Sequence, residues 1–127
     1  MPTLAKSVRL AALYYTVRDC TIRLFVNDHT PTDEDTLDNY IEANFPGYAP
    51  IATKFDDWQV SGLVLNYPPQ LFQLTADLDT RVTVYGWLLA RGNDFVMGHR
   101  DAKAPHKLMN KGSVIKVPNV TIGDKGG

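Results

Sequence analysis

The stretch whose reading decides the fold is Thr83-Val84-Tyr85-Gly86-Trp87-Leu88-Leu89-Ala90-Arg91-Gly92-Asn93-Asp94-Phe95-Val96-Met97-Gly98-His99-Arg100. Two apolar runs flank Gly92-Asn93, and Gly-Asn between such runs is a two-residue hairpin loop. With that loop, facing positions sum to 185. Trp87 then faces Gly98, Leu89 faces Val96, and Tyr85 faces Arg100, whose guanidinium can lie over the Tyr85 ring. Leu88 with Met97 and Ala90 with Phe95 fall on the opposite face. Apolar groups on both faces of 82–90 predict a central strand covered on both sides.

Outward from the hairpin the pattern stays β. Candidate strands are 48–53, 57–65, 70–76, 80–91, 94–100 and 112–122, with Pro68-Pro69 separating two of them. Residues 21–26 alternate: Ile22, Leu24 and Val26 face one way, Thr21, Arg23 and Phe25 the other, as in a half-buried strand. Leu4 to about Val17 reads as a helix, because Leu4, Val8, Ala11, Ala12 and Tyr15 recur at helical spacing. That stripe packs on its own domain or docks on a neighbouring subunit. After the turn at Thr30-Pro31, Thr32 and Asp35 have capping-box spacing with an acid in place of Glu. They predict a short acidic helix, Asp33 to about Ala43, with Leu37, Tyr40 and Ile41 inside and Asp33, Glu34 and Asp35 at its positive end. The expected fold is mainly β: a single-domain antiparallel β-sandwich or partly open barrel, with a short N-terminal helix and one short acidic helix.

The 127 residues fit one domain, 1–127, with a helical segment over 1–18 and a flexible tail over 123–127. Hydrophobic residues at 44% and charged residues at 21% exclude a disordered chain. The net charge of −1 excludes a bulk basic footprint, so nucleic acid is not an expected partner. A single cysteine, Cys20, cannot form an internal disulfide and points to synthesis in a reducing compartment. No apolar run approaches the roughly 18 residues of a membrane span. The N-terminus, with Arg9 and Arg18 closely flanking Ala11 to Tyr15, reads as folded protein and not as a signal peptide. Asn119-Val120-Thr121 matches a glycosylation sequon, a pattern common by chance.

No reactive constellation emerges. His29, His99 and His106 lack zinc-site spacing. Asp56 and Asp57 are adjacent, so on a strand they point to opposite faces and do not converge on one substrate. Ser7, Ser61 and Ser113 lack a nucleophile elbow, Cys20 has no histidine near it in sequence, and no phosphate loop or dinucleotide fingerprint occurs. No catalytic, cofactor-binding or metal-ligating residue is assigned, and the expectation is a non-enzymatic protein. Charge is distributed unevenly. Asp28 to Asp57 holds eight acids and one base, a local charge of −7. His99 to Lys116 holds five bases and one acid, a local charge of +4. The two segments are either solvated loops or complementary patches that join copies or dock on a charged scaffold.

Four phrases occur in an order that resembles a family of small virion structural proteins of tailed bacteriophages. They are Leu24-Phe25-Val26-Asn27-Asp28-His29-Thr30-Pro31-Thr32, Phe45-Pro46-Gly47-Tyr48-Ala49-Pro50-Ile51, Thr83-Val84-Tyr85-Gly86-Trp87, and Gly112-Ser113-Val114-Ile115-Lys116-Val117-Pro118. The resemblance covers roughly residues 4–122. The charged loop 99–111 is a departure from it, being rich in Lys and His here. The resemblance implies a part in a particle and no reaction. The expected role is a capsid decoration or cementing protein, made in the bacterial host cytoplasm and carried in the virion. Its partners would be the major capsid or other virion proteins and further copies of itself. Candidate contacts are Asp33, Glu34, Asp35 and Asp38 in the acidic loop, Arg100, Lys103, Lys107 and Lys111 in the basic loop, and Arg9 and Tyr14 on the helix. The alternatives are a tail or fibre-base component and a carbohydrate- or host-surface-binding module using Trp58, Tyr67 or Trp87.

Overall fold

The computed structural model describes residues 5–123. Leu4 and positions 124–127 of the expected tail lie outside them, while Gly123 ends the last strand. The described residues are mainly β, with one α-helix, α1 (Lys6–Val17), and eleven short strands. The central sheet contains β1 (Thr21–Phe25), β2 (Ile51–Ala52), β7 (Gly86–Arg91) and β8 (Asp94–Arg100), in the order β2-β1-β7-β8. A second sheet orders β11 (Val120–Gly123), β4 (Val64–Tyr67) and β3 (Gln59–Ser61). Two ribbons pair β10 (Val114–Val117) with β5 (Gln70–Gln73), and β6 (Val82–Val84) with β9 (His106–Leu108). All pairings are antiparallel, and the sheets remain open instead of closing as a barrel.

The hairpin forms at Gly92-Asn93, with Arg91 opposite Asp94 and Ala90 opposite Phe95. Gly92 has φ 58°, a left-handed value that glycine adopts without a Cβ clash and that a II′ turn needs at its first central position. Beyond Ala90 the expected register slips by one. A β-bulge between Leu89 and Ala90 leaves Val96 as the extra residue, so Leu89 faces Met97, Leu88 faces Gly98 and Trp87 faces His99. Arg100 therefore pairs with Gly86 and not with Tyr85, yet its guanidinium still lies over the Tyr85 ring, 5.7 Å from the centroid.

The two-sided cover of β7 is as expected. Trp87 and Leu89 join Ile22 and Leu24 in the large core, together with Phe45, Trp58, Leu65, Phe72 and Val120. Leu88 and Ala90 join Phe25 and Tyr40 in a smaller cluster on the other face, flanked by Leu37, Tyr85 and Phe95. The half-buried reading of 21–26 is corrected accordingly: Phe25 is as inaccessible as Leu24, because Tyr40 lies edge-on against its ring at 5.0 Å. Burying a side chain of this size contributes roughly 1.5–3 kcal/mol, so the second cluster anchors the loop that carries Tyr40.

Several expected elements differ. Three long candidate strands are broken: 57–65 by the turn at Gly62, 80–91 at Tyr85, and 112–122 at Pro118-Asn119. β9 lies inside the segment read as a charged loop. The acidic helix is reduced to a single 3-10 turn, Leu37–Asn39. Ile41, placed inside by the helical reading, is 62% exposed, while Tyr40 is buried. Helix α1 is present, but it is rotated relative to the expected stripe: Val8, Ala11, Ala12 and Tyr15 face outward, and Leu13, Tyr14 and Val17 pack on the core. Tyr14 contacts Phe55 at 5.1 Å between centroids, which sets this rotation. The helix ends where Arg18 becomes extended and Asp19 takes φ 58°.

Candidate partner-binding surface

The acidic loop is organised around Asp35. Its carboxylate accepts hydrogen bonds from Tyr40 Oη at 2.6 Å, Thr32 Oγ1 at 2.9 Å and the Thr32 backbone N–H at 3.0 Å. His29 Nε2 lies 2.8 Å from it. The Asp35 N–H in turn donates to the Thr32 carbonyl. The capping-box spacing is therefore real, but the pair closes a local turn and only the 3-10 turn Leu37–Asn39 follows, a competition that Asp and Thr side chains often win. Burial pushes the Asp35 carboxyl up; the donors from Tyr40, Thr32 and His29 outweigh it and hold the group well below the usual carboxylate range. Burial, followed by the bond to Asp35, pushes the Tyr40 phenol up. Asp35 is thus an internal anchor, with its side chain 5% exposed, and is corrected from its expected role as a partner contact.

Arg100 is likewise occupied. Its Nε donates to Asp28 Oδ1 at 2.8 Å, which ties the basic segment to the acidic one within the chain. Asp101 holds the next turn: it accepts from the Lys103 N–H at 2.9 Å and lies 2.7 Å from His106 Nε2. The Lys103 bond lowers the Asp101 pKa, burial opposes it, and His106 adds to the lowering. Glu42 accepts from Tyr48 Oη at 2.6 Å and lies 3.8 Å from Arg23.

What remains is a set of six exposed charges. Asp33, Glu34 and Asp38 on the acidic segment, and Lys103, Lys107 (on β9) and Lys111 on the basic one, have exposed side chains with no ion pair or hydrogen bond among the described residues. Tyr14 is turned inward against Phe55 and the core, so the helix presents Tyr15 instead, 61% exposed, with the Arg18 and Arg91 guanidiniums 4.9 and 5.6 Å from its ring centroid. Arg9 is partly exposed on the same helix. The aromatic residues considered for sugar binding form no platform: Trp58, Tyr67 and Trp87 are 4%, 3% and 7% exposed. Among the described residues no group of three His, Cys, Asp or Glu side chains is placed to hold a metal ion, and no helix is long and apolar enough to cross a membrane.

Two cavities flank β8. One, of 390 Å³, lies between Pro31, Thr32, Asp33 and Asp35 and the strand residues Phe95 to Gly98. The other, of 290 Å³, lies on the side of the large core, between Trp87, Met97 and His99 and the turn at Pro118-Asn119. The sequence reveals the hairpin but not that β8 ends up at a sheet edge, because β1 pairs with β7 across more than sixty residues of chain. No family model, curated protein or solved structure matches this chain.

Proposed function

We propose that this protein is a non-enzymatic structural component of a bacteriophage particle, a decoration or cementing subunit that binds the shell formed by larger capsid proteins. One observation carries the reading. Six unpaired charges of opposite sign stand on two surface segments, Lys107 on β9 and the others off the strands, that internal carboxylates, Asp35 and Asp101, pin to the β scaffold. Such charges contribute little singly, about 0–1 kcal/mol per exposed pair. They become useful when many copies engage a repeating surface at once. The order of the four sequence phrases supports the same reading. Its partners are capsid or other virion proteins and neighbouring copies.

The test is occupancy on purified particles made from the genome that encodes the chain. The double charge reversal Lys103→Glu with Lys107→Glu lowers occupancy, and added salt strips the native protein progressively, as screening predicts. Unchanged occupancy removes the basic loop from the contact. Absence of the protein from purified particles overturns the proposal, and density confined to a tail ring replaces shell decoration with a tail role.

A further inference from the structure

We propose that the outer edge of β8 is a strand-addition site that takes an extended segment of another protein, one carrying a basic residue next to an apolar one. This goes beyond the particle role, because the edge belongs to the fold whatever the protein is attached to.

The backbone supplies the first argument. β8 is an outer strand of the central sheet. The Asp101 N–H donates to the Tyr85 carbonyl at 3.0 Å, which sets the phase of the β7–β8 ladder. In an antiparallel pair alternate residues turn both bonding groups toward the neighbour, and those between turn them away. His99 therefore bonds to β7, while Gly98 and Arg100 turn N–H and C=O outward. No hydrogen bond among the described residues reaches those groups, and the bond that Arg100 makes to Asp28 comes from its side chain. Gly98 and Arg100 are both partly exposed.

The two cavities supply the second. Both are lined by Met97 and Gly98, and they lie on opposite sides of the sheet at this edge. An added strand sends successive side chains to opposite faces, so adjacent residues of a guest reach the two cavities. The larger one offers Asp33, whose carboxylate is exposed and unpaired, whereas Asp35 is already saturated by its donors. That arrangement favours Lys or Arg. The smaller one presents Trp87, Met97 and Pro118, which favours Leu or Met.

A second copy of β8 fits less well. The antiparallel register that sets Asp94 against Arg100 of a copy also sets Gly98 against Val96. Val96 is the bulge residue, where the alternation is broken. The register that matches the outward groups of Gly98 and Arg100 sets His99 against its own counterpart and forfeits the Asp94–Arg100 attraction.

The experiment is amide-resolved NMR of the full chain titrated with the capped peptide Ser-Thr-Lys-Leu-Thr-Ser. The expected result is saturable shifts at Gly98 and Arg100 and slower exchange of their amides. Replacing Lys by Glu in the peptide, or Asp33→Lys in the protein, weakens binding about fivefold. Asp38→Lys, equally exposed but outside the cavity, leaves it unchanged. N-methylation of the peptide amides that face β8 weakens binding about tenfold. No saturable shift at about 1 mM peptide overturns the proposal, as does equal weakening by Asp33→Lys and Asp38→Lys. Protection of the Gly98 and Arg100 amides that grows with protein concentration in the absence of peptide assigns the edge to a second copy and also overturns it. None of these readings depends on particle occupancy, so the two proposals fail separately.

Discussion

Tyr40→Phe isolates the anchor of the acidic loop. The substitution removes one hydroxyl and keeps the ring, which stacks on Phe95 and meets Phe25 edge-on, each at 5.0 Å between centroids. What is lost is the 2.6 Å bond to the Asp35 carboxylate. A hydrogen bond to a charged group contributes about 1.5–3 kcal/mol, and the low end applies here because Thr32 and His29 still serve the carboxylate. About 1.5 kcal/mol is roughly a tenfold loss in the folding equilibrium constant. With about 2.1 cal/mol/K of unfolding entropy per residue, it lowers the thermal midpoint by roughly 5 °C for a chain of 127 residues. The assay is urea and thermal unfolding followed by the fluorescence of Trp58 and Trp87, both buried in the large core. The dependence on pH makes the test specific. Asp35 has a folded pKa below its unfolded value, so its stabilisation is complete above the ordinary carboxylate range and is lost as pH falls through the lower folded value. The gap between native protein and Tyr40→Phe is therefore full at pH 7 and narrows in acid, once Asp35 is protonated in both. A gap that stays constant from neutral to strongly acid pH refutes the bond as its source, and no gap at pH 7 refutes the anchor.

Two further outcomes follow from the packing. Gly86→Ala places a methyl group against the His99 carbonyl and the Phe25 ring, neither of which can move without disturbing the central sheet; a loss of about 1–3 kcal/mol in urea unfolding is expected, and a neutral result contradicts the close approach. Cys20 is 1% exposed, and burial pushes its thiol up against a smaller lowering by Arg91, so the folded protein resists a thiol-disulfide reagent at pH 8 and reacts only when unfolded; prompt reaction of the native protein contradicts its burial.

The parts of the fold legible in the sequence were those set by local chemistry. Gly92-Asn93 specified the hairpin, and the continuous apolar run from Trp87 to Ala90 announced a strand with two covered faces. The register beyond Ala90 was not legible, since a bulge is a compromise between packing on both faces and leaves no turn residue to mark it. The acidic segment misled for a different reason. Thr32 and Asp35 are spaced as in a helix start, but Tyr40 is drawn to Phe25 and Phe95 on the sheet, which holds the chain extended after one turn. In α1 both long faces are apolar, so periodicity could not choose between the stripe at Val8 and Tyr15 and the one at Leu13 and Val17. The contact of Tyr14 with Phe55, forty-one residues away, made the choice. Of the candidate contacts, exposure could be anticipated for Asp33, Glu34, Asp38, Lys103, Lys107 and Lys111, whereas the capture of Arg100 depended on Asp28, 72 residues away, and that of Asp35 on Tyr40 being held against the sheet by Phe25 and Phe95.

Since every side chain from Trp87 to Ala90 enters one hydrophobic compartment or the other, this strand is a partition wall between them. A ribbon such as β5–β10 can vary at every second position while its inner residues stay fixed. The wall has no such freedom, and a polar replacement at any of its four consecutive sites injures the compartment it faces.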